Sequence, residues 1–257
     1  MIQDRLQHAA LYLTALRKPG PRPRSLPAEL APQSEREAYR LQTLVGSALA
    51  AGRGCWKVAM NDAQSGTCAP VFQADLHPSG ARVISPIAER LGIEPEIAFT
   101  LKQALPPPPD GQHYQRDQVI AAIGTAHAAI EIVISRFQSH DTAEPLDRLA
   151  DNISNGGLVL GPPCDRWREL NLSTIALHLS IEARQGQNSV LDARGGHPLG
   201  DPLLPLIWLA NRSAADESGL QAGDVVTTGS YAGLRYVERD SHVSVRFEGL
   251  GVAELYS

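Results

Sequence analysis

The spacing of apolar residues divides the chain into a helical beginning and a longer part that is typical of strands. In residues 2–17 apolar side chains recur every three or four positions, which predicts an amphipathic helix. Residues 19–32 are rich in proline and predict a linker. A second helix is expected after Ser34, because Ser34 and Glu37 have the spacing of a capping box, and Gly52 is expected to end it.

Residues 1–52 are therefore predicted to form a helical N-terminal cap, and residues 53–257 a β-rich catalytic domain. The second part contains segments in which apolar and polar residues alternate, the pattern of a strand with one buried face. These segments are residues 94–101, 129–137 and 175–181. Further elements are a short helix from about Asp117, a helix after Pro202, a strand over 224–228 and two strands that meet at 249–251. The mixture predicts an α+β fold in which helices surround a β-rich core.

Composition and charge narrow the functional classes. The chain has 257 residues and a net charge of -5, and its basic residues are scattered singly. Nucleic-acid-binding proteins typically have a basic face, so the expected partner is a small molecule rather than nucleic acid or a membrane. The three cysteines contain no CxxC pair, which argues against a disulfide framework and a structural zinc site. Without a signal peptide or an apolar run of about 18 residues, the protein is expected to be cytoplasmic.

Three glutamates are the sharpest chemical feature of the sequence. Glu94 and Glu96 flank Pro95 on a predicted strand, and because side chains alternate along a strand, both carboxylates point to one face. Pro95 has no N–H for a ladder, so this part of the strand is expected at an edge or an opening. Glu131 lies between isoleucines, where a carboxylate needs a compensating cation. Three carboxylates suit a hard cation, Mg²⁺ or Mn²⁺, that keeps water in its other positions.

The residues alone leave an ordinary alternative open. An ExE pair also occurs on solvated strands, and Glu131 can be satisfied by an arginine, for which Arg136 and Arg90 are candidates. Lys57 is either a surface lysine whose stem packs on apolar neighbours or a cation that faces the carboxylates. In the second case it balances the one negative charge that three carboxylates and a divalent ion leave, and it moves protons if burial lowers its pKa.

Two further segments are equally ambiguous. Residues 227–230 offer backbone N–H groups and hydroxyls for an anion, or form an ordinary turn. Residues 151–157 are a polar loop before a strand, or a loop of the site. Cys55 is expected near the site because it lies two residues before Lys57, with no sign of a nucleophilic role. Four scattered histidines are expected to be structural: His127, His178, His197 and His242.

A series of motifs along most of the chain resembles the fumarylacetoacetate hydrolase superfamily. Within it the resemblance is to the 2-keto-4-pentenoate hydratases and the related 4-oxalocrotonate decarboxylases. In chain order the motifs are EPEIAFTL, AAIEIVISRF, DNISNGGLVLG, GGHPLGDPLLPLIWLAN, LQAGDVVTTGS and FEGLGVAEL. The resemblance implies the mixed β-roll core of that superfamily, with peripheral helices, and a homo-oligomer.

The resemblance also implies a site and an activity. The implied metal ligands are Glu94, Glu96 and Glu131, the site lysine is Lys57, and the substrate contacts are Gly229 and Ser230, with Ser154 and Asn152 as weaker candidates. The implied substrate is a 2-hydroxy-2,4-dienoate, the enol form of a 2-keto acid from aromatic-compound catabolism. A metal-dependent hydratase adds water to it and gives a 4-hydroxy-2-keto acid. Two alternatives stay open: a 4-oxalocrotonate-type decarboxylase, and a catalytically weak paralogue that acts as a complex partner.

Two departures from the family pattern concern the segment after the site lysine. The family commonly has Lys-(Ile/Val)-Gly-Leu-Thr, where residues 57–61 read Lys-Val-Ala-Met-Asn. The family then has a longer loop with an Asp-(Tyr/Phe)-Gly motif whose acid lies in the site. Residues 62–75 are shorter and lack that motif, and Asp62 and Asp75 are the candidates to replace its acid.

Overall fold

The computed structural model describes residues 2–60, 62–107, 112–184, 187–215 and 219–257, so Asn61 of the altered motif lies outside the described residues. The helices are α1 (Ile2–Ala15), α2 (Glu35–Ala48), α3 (Arg116–Ala122), α4 (Pro145–Ala150) and α5 (Leu204–Ala215). The first strands are β1 (Arg53–Met60), β2 (Gly66–Phe72), β3 (Leu76–Pro78), β4 (Ala81–Arg82), β5 (Leu91–Leu101), β6 (Ile123–Val133) and β7 (Asn155–Leu160). The others are β8 (Ala176–Ala183), β9 (Ser189–Arg194), β10 (Val225–Ser230), β11 (Arg235–Val237), β12 (Ser241–Phe247) and β13 (Gly251–Tyr256).

The two N-terminal helices form as predicted and pack against each other. The Ser34 hydroxyl accepts a hydrogen bond from the Glu37 N–H, which confirms the predicted start of α2. Glu37 then forms an ion pair of 2.6 Å with Arg5 of α1. The apolar faces of both helices join one cluster with Phe72 of β2 and with residues of the segment 137–153. The separation of a cap at residue 52 stays a prediction.

Two sheets form the β-rich core. The larger has the strand order β2-β1-β10-β5-β6-β7-β3, and β11 pairs with the first part of β5. The smaller has the order β4-β13-β12-β8-β9. One small cluster takes a side chain from each of six strands of the larger sheet: Cys55, Val71, Ala98, Ala129, Leu158 and Val225. The larger sheet curls around this cluster. Residues two positions apart on a strand share a face, so four further side chains also point inward: Lys57, Glu96, Glu131 and Thr227.

Pro95 was predicted at an edge or an opening of the sheet, and the structure places it at a break in strand pairing rather than at an edge. β5 lies in the centre of the larger sheet, between β10 and β6. The Pro95 carbonyl accepts a hydrogen bond from the Tyr231 N–H, which lies between β10 and β11. Because the N and O atoms of a strand residue point to the same side, the missing N–H faces this break in pairing. A central strand therefore accommodates the proline.

Two element boundaries also differ from the prediction. The strand expected at residues 129–137 begins at Ile123 and ends at Val133. Beyond Val133 the backbone N–H groups bond outside the ladder: that of Ile134 donates to the Ser154 carbonyl and that of Arg136 to the Asp151 carboxylate. The strand expected at 224–228 continues to Ser230, so the predicted loop residue Gly229 lies within β10.

The two sheets approach each other closely at Gly161. A Cβ atom on this residue would lie 2.5 Å from the Val252 carbonyl oxygen and 3.0 Å from that of Ala128. Gly161→Ala is therefore expected to lower the free energy of unfolding by about 1–3 kcal/mol, measured by urea titration. Gly52→Ala is the matched control, because its methyl group would meet nothing within 4 Å. Equal stability of the two variants would contradict this close approach.

Candidate metal centre

The structure brings together the three glutamates that the sequence singled out. Glu94 and Glu96 lie on β5, and Glu94 is directly opposite Glu131 of β6. One carboxylate oxygen from each residue lies within 4.8 Å of the other two. Their side chains point to the inner face of the curled sheet, where Glu96 and Glu131 are buried. The alternation of β5 predicted this arrangement for the first two, while the third joins them through strand pairing.

Lys57 provides the counter-ion of Glu131. Its Nζ lies 2.6 Å from Glu131 Oε1, and both side chains are buried. The Asn155 side chain donates to the same oxygen at 3.0 Å. Glu131 Oε2 is buried without a hydrogen-bond partner among the described residues. A buried carboxylate oxygen that lacks a donor, on a residue that lies beside two other carboxylates, fits a cation ligand.

Neither predicted arginine serves Glu131. Arg136 forms a buried ion pair with Asp151, and Arg90 lies 3.5 Å from Glu238 at the surface. Arg136 lies five residues after Glu131, and Arg90 directly precedes β5, the strand that pairs with β6. Lys57 instead comes from a strand three places away from β6 in the sheet. Flat strands three places apart are separated by about 14 Å, so curling of the sheet is what allows the contact.

Glu96 is fixed by the end of β10. The Thr227 hydroxyl donates to Glu96 Oε2, and the Gly229 N–H donates to the same oxygen at 3.0 Å. Gly229 has a φ of 111°, a conformation that glycine adopts readily. Its N–H, predicted to contact substrate, therefore holds a glutamate. Ser230 accepts a bond of 3.4 Å from the Ala232 N–H.

Burial and mutual repulsion dominate the electrostatics of the cluster. Burial and then the charge of Glu131 raise the pKa of Glu94 to about 7, although Lys57 acts to lower it. Burial, with the charges of Glu131 and Glu94, likewise raises the pKa of Glu96. For Lys57 burial acts to lower the pKa, but the nearby carboxylates outweigh it and the net shift is upward. Without a metal ion, Lys57 is thus an ammonium, and the lowering by burial that was the condition for proton transfer is outweighed.

A turn at Asn152–Ser154 covers this end of the sheet. The Ile153 carbonyl accepts a hydrogen bond of 3.1 Å from Lys57 Nζ. Asn152 Oδ1 and Ser154 Oγ are buried and have no hydrogen-bond partner among the described residues. Both were weaker candidates for substrate contacts, and that role stays a prediction.

Three neighbours of the cluster were not predicted: Asn155, Thr227 and His140. Asn155 and Thr227 lie in segments that the sequence marked as ambiguous, but only strand pairing shows that they bond glutamates. His140 lies in the segment after β6, and burial together with the Lys57 charge lowers its pKa. Its Nδ1 is buried without a partner among the described residues, and no sequence pattern indicated this.

Neither acid proposed to replace that of the shortened loop joins the glutamates. Asp62 is exposed and accepts hydrogen bonds from Gln64 and Ser65 within its own turn, which lower its pKa. Asp75 borders a separate cavity, together with Arg17. Cys55 is buried in the inner cluster next to the glutamates, and burial raises the pKa of its thiol, as expected for a residue without a nucleophilic role.

Binding of Mg²⁺ is expected to weaken as the pH falls from 8 to 6. With the pKa of Glu94 at about 7, protons compete with the metal in this range, by up to about tenfold per pH unit for one proton. A folded-state pKa above the ordinary value stabilises the metal-free protein at low pH, and this contribution is lost as the pH rises through 7. Titration calorimetry measures the affinity, and thermal unfolding measures the stability. Glu94→Gln is the control, and equal pH dependence in that variant would contradict the assignment to Glu94.

Comparison with known proteins agrees with this fold. The family model of the fumarylacetoacetate (FAA) hydrolase C-terminal domain matches residues 65–255. 2-Keto-4-pentenoate hydratase 2 of Dechloromonas aromatica (strain RCB) is 34% identical over 159 residues, which are 62% of this chain and 57% of that protein. 2-Hydroxyhexa-2,4-dienoate hydratase of Comamonas testosteroni is 30% identical over 162 residues, 63% of this chain and 58% of that protein. The matches thus span little more than half the length of these curated relatives.

Among solved structures, the 4-oxalocrotonate decarboxylase from Pseudomonas putida G7, complexed with magnesium and adipate, superimposes with a TM-score of 0.81. The superposition covers 99% of this chain and 97% of that chain, at 20% sequence identity. It confirms the predicted α+β fold with a mixed β-roll core. Across the described residues, no helix is long and apolar enough to cross a membrane. The chain belongs to the fumarylacetoacetate hydrolase family, whose C-terminal model matches it from residue 65 to residue 255.

Proposed function

We propose that this chain is a metal-dependent hydratase that adds water to a 2-hydroxy-2,4-dienoate and yields a 4-hydroxy-2-keto acid. One observation carries the proposal: three carboxylates converge in a buried position, with an ammonium 2.6 Å from one of them. The names of two relatives that are at least 30% identical, both dienoate or pentenoate hydratases, support the reaction type.

Glu94, Glu96 and Glu131 are the proposed ligands of one Mg²⁺ or Mn²⁺ ion. Their oxygen donors suit a hard cation, and the partnerless Glu131 Oε2 provides a position for it. When bound, such an ion would act as a Lewis acid and stabilise negative charge on a 2-keto acid. Three carboxylates and a divalent ion leave one negative charge, which Lys57 balances, so an anionic substrate is not repelled.

The side chains around the glutamates are proposed to orient the substrate and move protons. Lys57 is held protonated at the centre and is the proposed proton donor toward the dienoate. Asn152 and Ser154 offer buried polar atoms without partners, and we assign them to substrate binding. Gly229 donates to Glu96 and Ser230 follows it in β10, and we assign both to substrate binding as well. Addition of water at C4 follows protonation of the far carbon, because the resulting unsaturated ketone is electron-poor at C4.

Decarboxylation of a 4-oxalocrotonate-type substrate is the second candidate. Asp62, in the loop after β1, is exposed and accepts hydrogen bonds within its own turn. This loop therefore brings no acid to the glutamates that could activate a water molecule. Loss of CO₂ needs stabilisation of the enolate but no activated water molecule. The same glutamates and Lys57 therefore suit both reactions.

A homo-oligomer and a cytoplasmic location stay predictions.

Turnover of 2-hydroxypenta-2,4-dienoate by chelator-treated protein tests the proposal. Loss of the dienol ultraviolet absorbance is followed before and after addition of Mg²⁺, with correction for spontaneous ketonisation. Metal-dependent formation of a 4-hydroxy-2-keto acid would support the hydratase. Release of CO₂ from 4-oxalocrotonate without hydration would favour the decarboxylase. Mg²⁺ binding by folded protein without either reaction would favour a catalytically weak paralogue.

A further inference from the structure

The turn beside the metal centre has an unusual backbone. Asn152, Ile153 and Ser154 have φ angles of 52°, 53° and 57°, so three successive residues other than glycine are left-handed. This conformation brings Cβ close to the following carbonyl oxygen, and a β-branched residue such as Ile153 adopts it rarely. Such a backbone persists only where its surroundings hold it in place. The turn is therefore maintained by contacts with other parts of the chain.

One buried arginine holds both ends of the turn. The Arg136 N–H and Nε donate to the Asp151 carboxylate, and Nη2 donates to the Asp151 carbonyl at 2.6 Å. Arg136 Nη1 donates to the Asn155 carbonyl at 2.7 Å. A single planar guanidinium thus connects the residue before the turn with the residue after it. Arg136 and Asp151 side chains are each only 2% exposed.

The turn and the residue that follows it each make one contact with the metal centre. The backbone carbonyl of its middle residue, Ile153, accepts a hydrogen bond from the Lys57 ammonium. The next residue after the turn, Asn155, donates its side-chain N–H to Glu131. A relaxation of Ile153 to a right-handed backbone would reorient its peptide groups and remove the acceptor for Lys57. The geometry of the catalytic cation and of one ligand thus depends on the handedness of the turn.

We infer that Arg136 and Asp151 are positioning residues, which maintain the left-handed turn and thereby fix Lys57 and Glu131. Neither is assigned a contact with substrate. Stability alone explains such a pair poorly, because apolar residues of similar size often replace a buried ion pair without loss. Arginine instead differs from other cations in its planar fork of donors. In Arg136 this fork reaches the Asp151 carboxylate and two backbone carbonyls at once. The inference rests on the proposed function for its turnover measurement, while metal affinity tests it independently.

Chemical rescue of Arg136→Ala tests the inference. Arg136 is one of the residues that line a cavity of about 500 Å³, and we expect a free guanidinium ion to enter the vacated position from it. The variant is expected to bind Mg²⁺ about 10- to 100-fold more weakly and to lose kcat by a similar factor, with a smaller change in KM. Millimolar guanidinium is expected to restore affinity and kcat. Urea, a neutral planar molecule of similar size, is expected to restore neither.

Arg90→Ala is the matched control, because it also removes an arginine from an ion pair, here at the surface. It is expected to leave Mg²⁺ affinity and kcat unchanged. A folded Arg136→Ala variant with metal affinity and kcat within about twofold of the parent would overturn the inference, since loss of a residue that orients metal ligands typically costs about 10- to 100-fold. Rescue by urea equal to that by guanidinium would also overturn it, because filling of space would then suffice.

Asp151→Asn provides the second variant if Arg136→Ala does not fold. It keeps the size of the side chain and both backbone acceptors of Arg136, and it removes the charge. Weaker Mg²⁺ binding at unchanged secondary structure is expected, and affinity equal to the parent's would overturn the inference. If the parent protein binds Mg²⁺ but turns over no dienoate, the proposed function fails. The metal affinities of the variants then still decide whether the pair positions the site.

Discussion

Glu131→Gln is expected to abolish metal-dependent turnover, with a loss of kcat/KM on the order of 10³-fold or more. The amide keeps the shape of the side chain but removes one of three negative charges from the ligand set. Its N–H₂ group would also introduce a hydrogen-bond donor into a site where Glu131 Oε2 has no partner among the described residues. Binding of a divalent cation should weaken correspondingly. Calorimetric titration with Mg²⁺ and the dienoate assay measure the two effects.

The protein itself is expected to stay folded in this variant. The buried positive charge of Lys57 is still compensated by Glu94 and Glu96, since both contribute to its raised pKa. Glu238→Gln is the control, because it changes a surface glutamate that pairs with Arg90. The assignment of Glu131 would be wrong if the variant kept turnover within about tenfold of the parent and still required Mg²⁺.

Lys57→Met is expected to separate catalysis from metal binding. Methionine fills a similar volume without a charge, so turnover should fall by about 10²- to 10⁴-fold, as for loss of a proton-transfer group. Mg²⁺ affinity should be retained or increase, because the ammonium beside Glu131 repels a divalent cation. Steady-state kinetics and calorimetric titration of the same preparation test both parts.

The stability of Lys57→Met should also depend on the metal ion. Removal of one partner from a buried pair costs about 3–5 kcal/mol, so the metal-free variant should unfold more easily at pH 8. Mg²⁺ should recover most of this loss by neutralising Glu131. Lys102→Met, at an exposed position, is the control and should change neither property. Loss of metal binding together with turnover would indicate that Lys57 mainly holds the ligands in place.

These two variants distinguish the roles of two side chains that are in direct contact. Loss of Mg²⁺ binding in Glu131→Gln, with retention in Lys57→Met, would place the first among the ligands and the second in charge balance or proton transfer. The opposite pattern would exclude the proposed arrangement. Both measurements remain informative if the chain decarboxylates its substrate, because that reaction uses the same ligands and the same cation.

Much of the candidate site was predictable from the sequence. The alternation in residues 94–101 placed Glu94 and Glu96 on one face, because the period of a strand is fixed by backbone geometry. The need of a mid-strand carboxylate for a cation marked Glu131. Motif order along the chain indicated the family and its mixed β-roll, which the family match and the structural comparison bear out. Local patterns were sufficient for these statements.

The partners of these residues were decided only by the tertiary structure. Glu131 meets Lys57 rather than Arg136 because the larger sheet curls and brings β1 toward β6. Arg136 instead holds a left-handed turn that no sequence pattern indicated, and the Gly229 N–H is used by Glu96. The physical reason is that periodicity determines which face of a strand a side chain occupies. It does not determine which strands become neighbours or how strongly their sheet curls, which depend on packing of the whole chain.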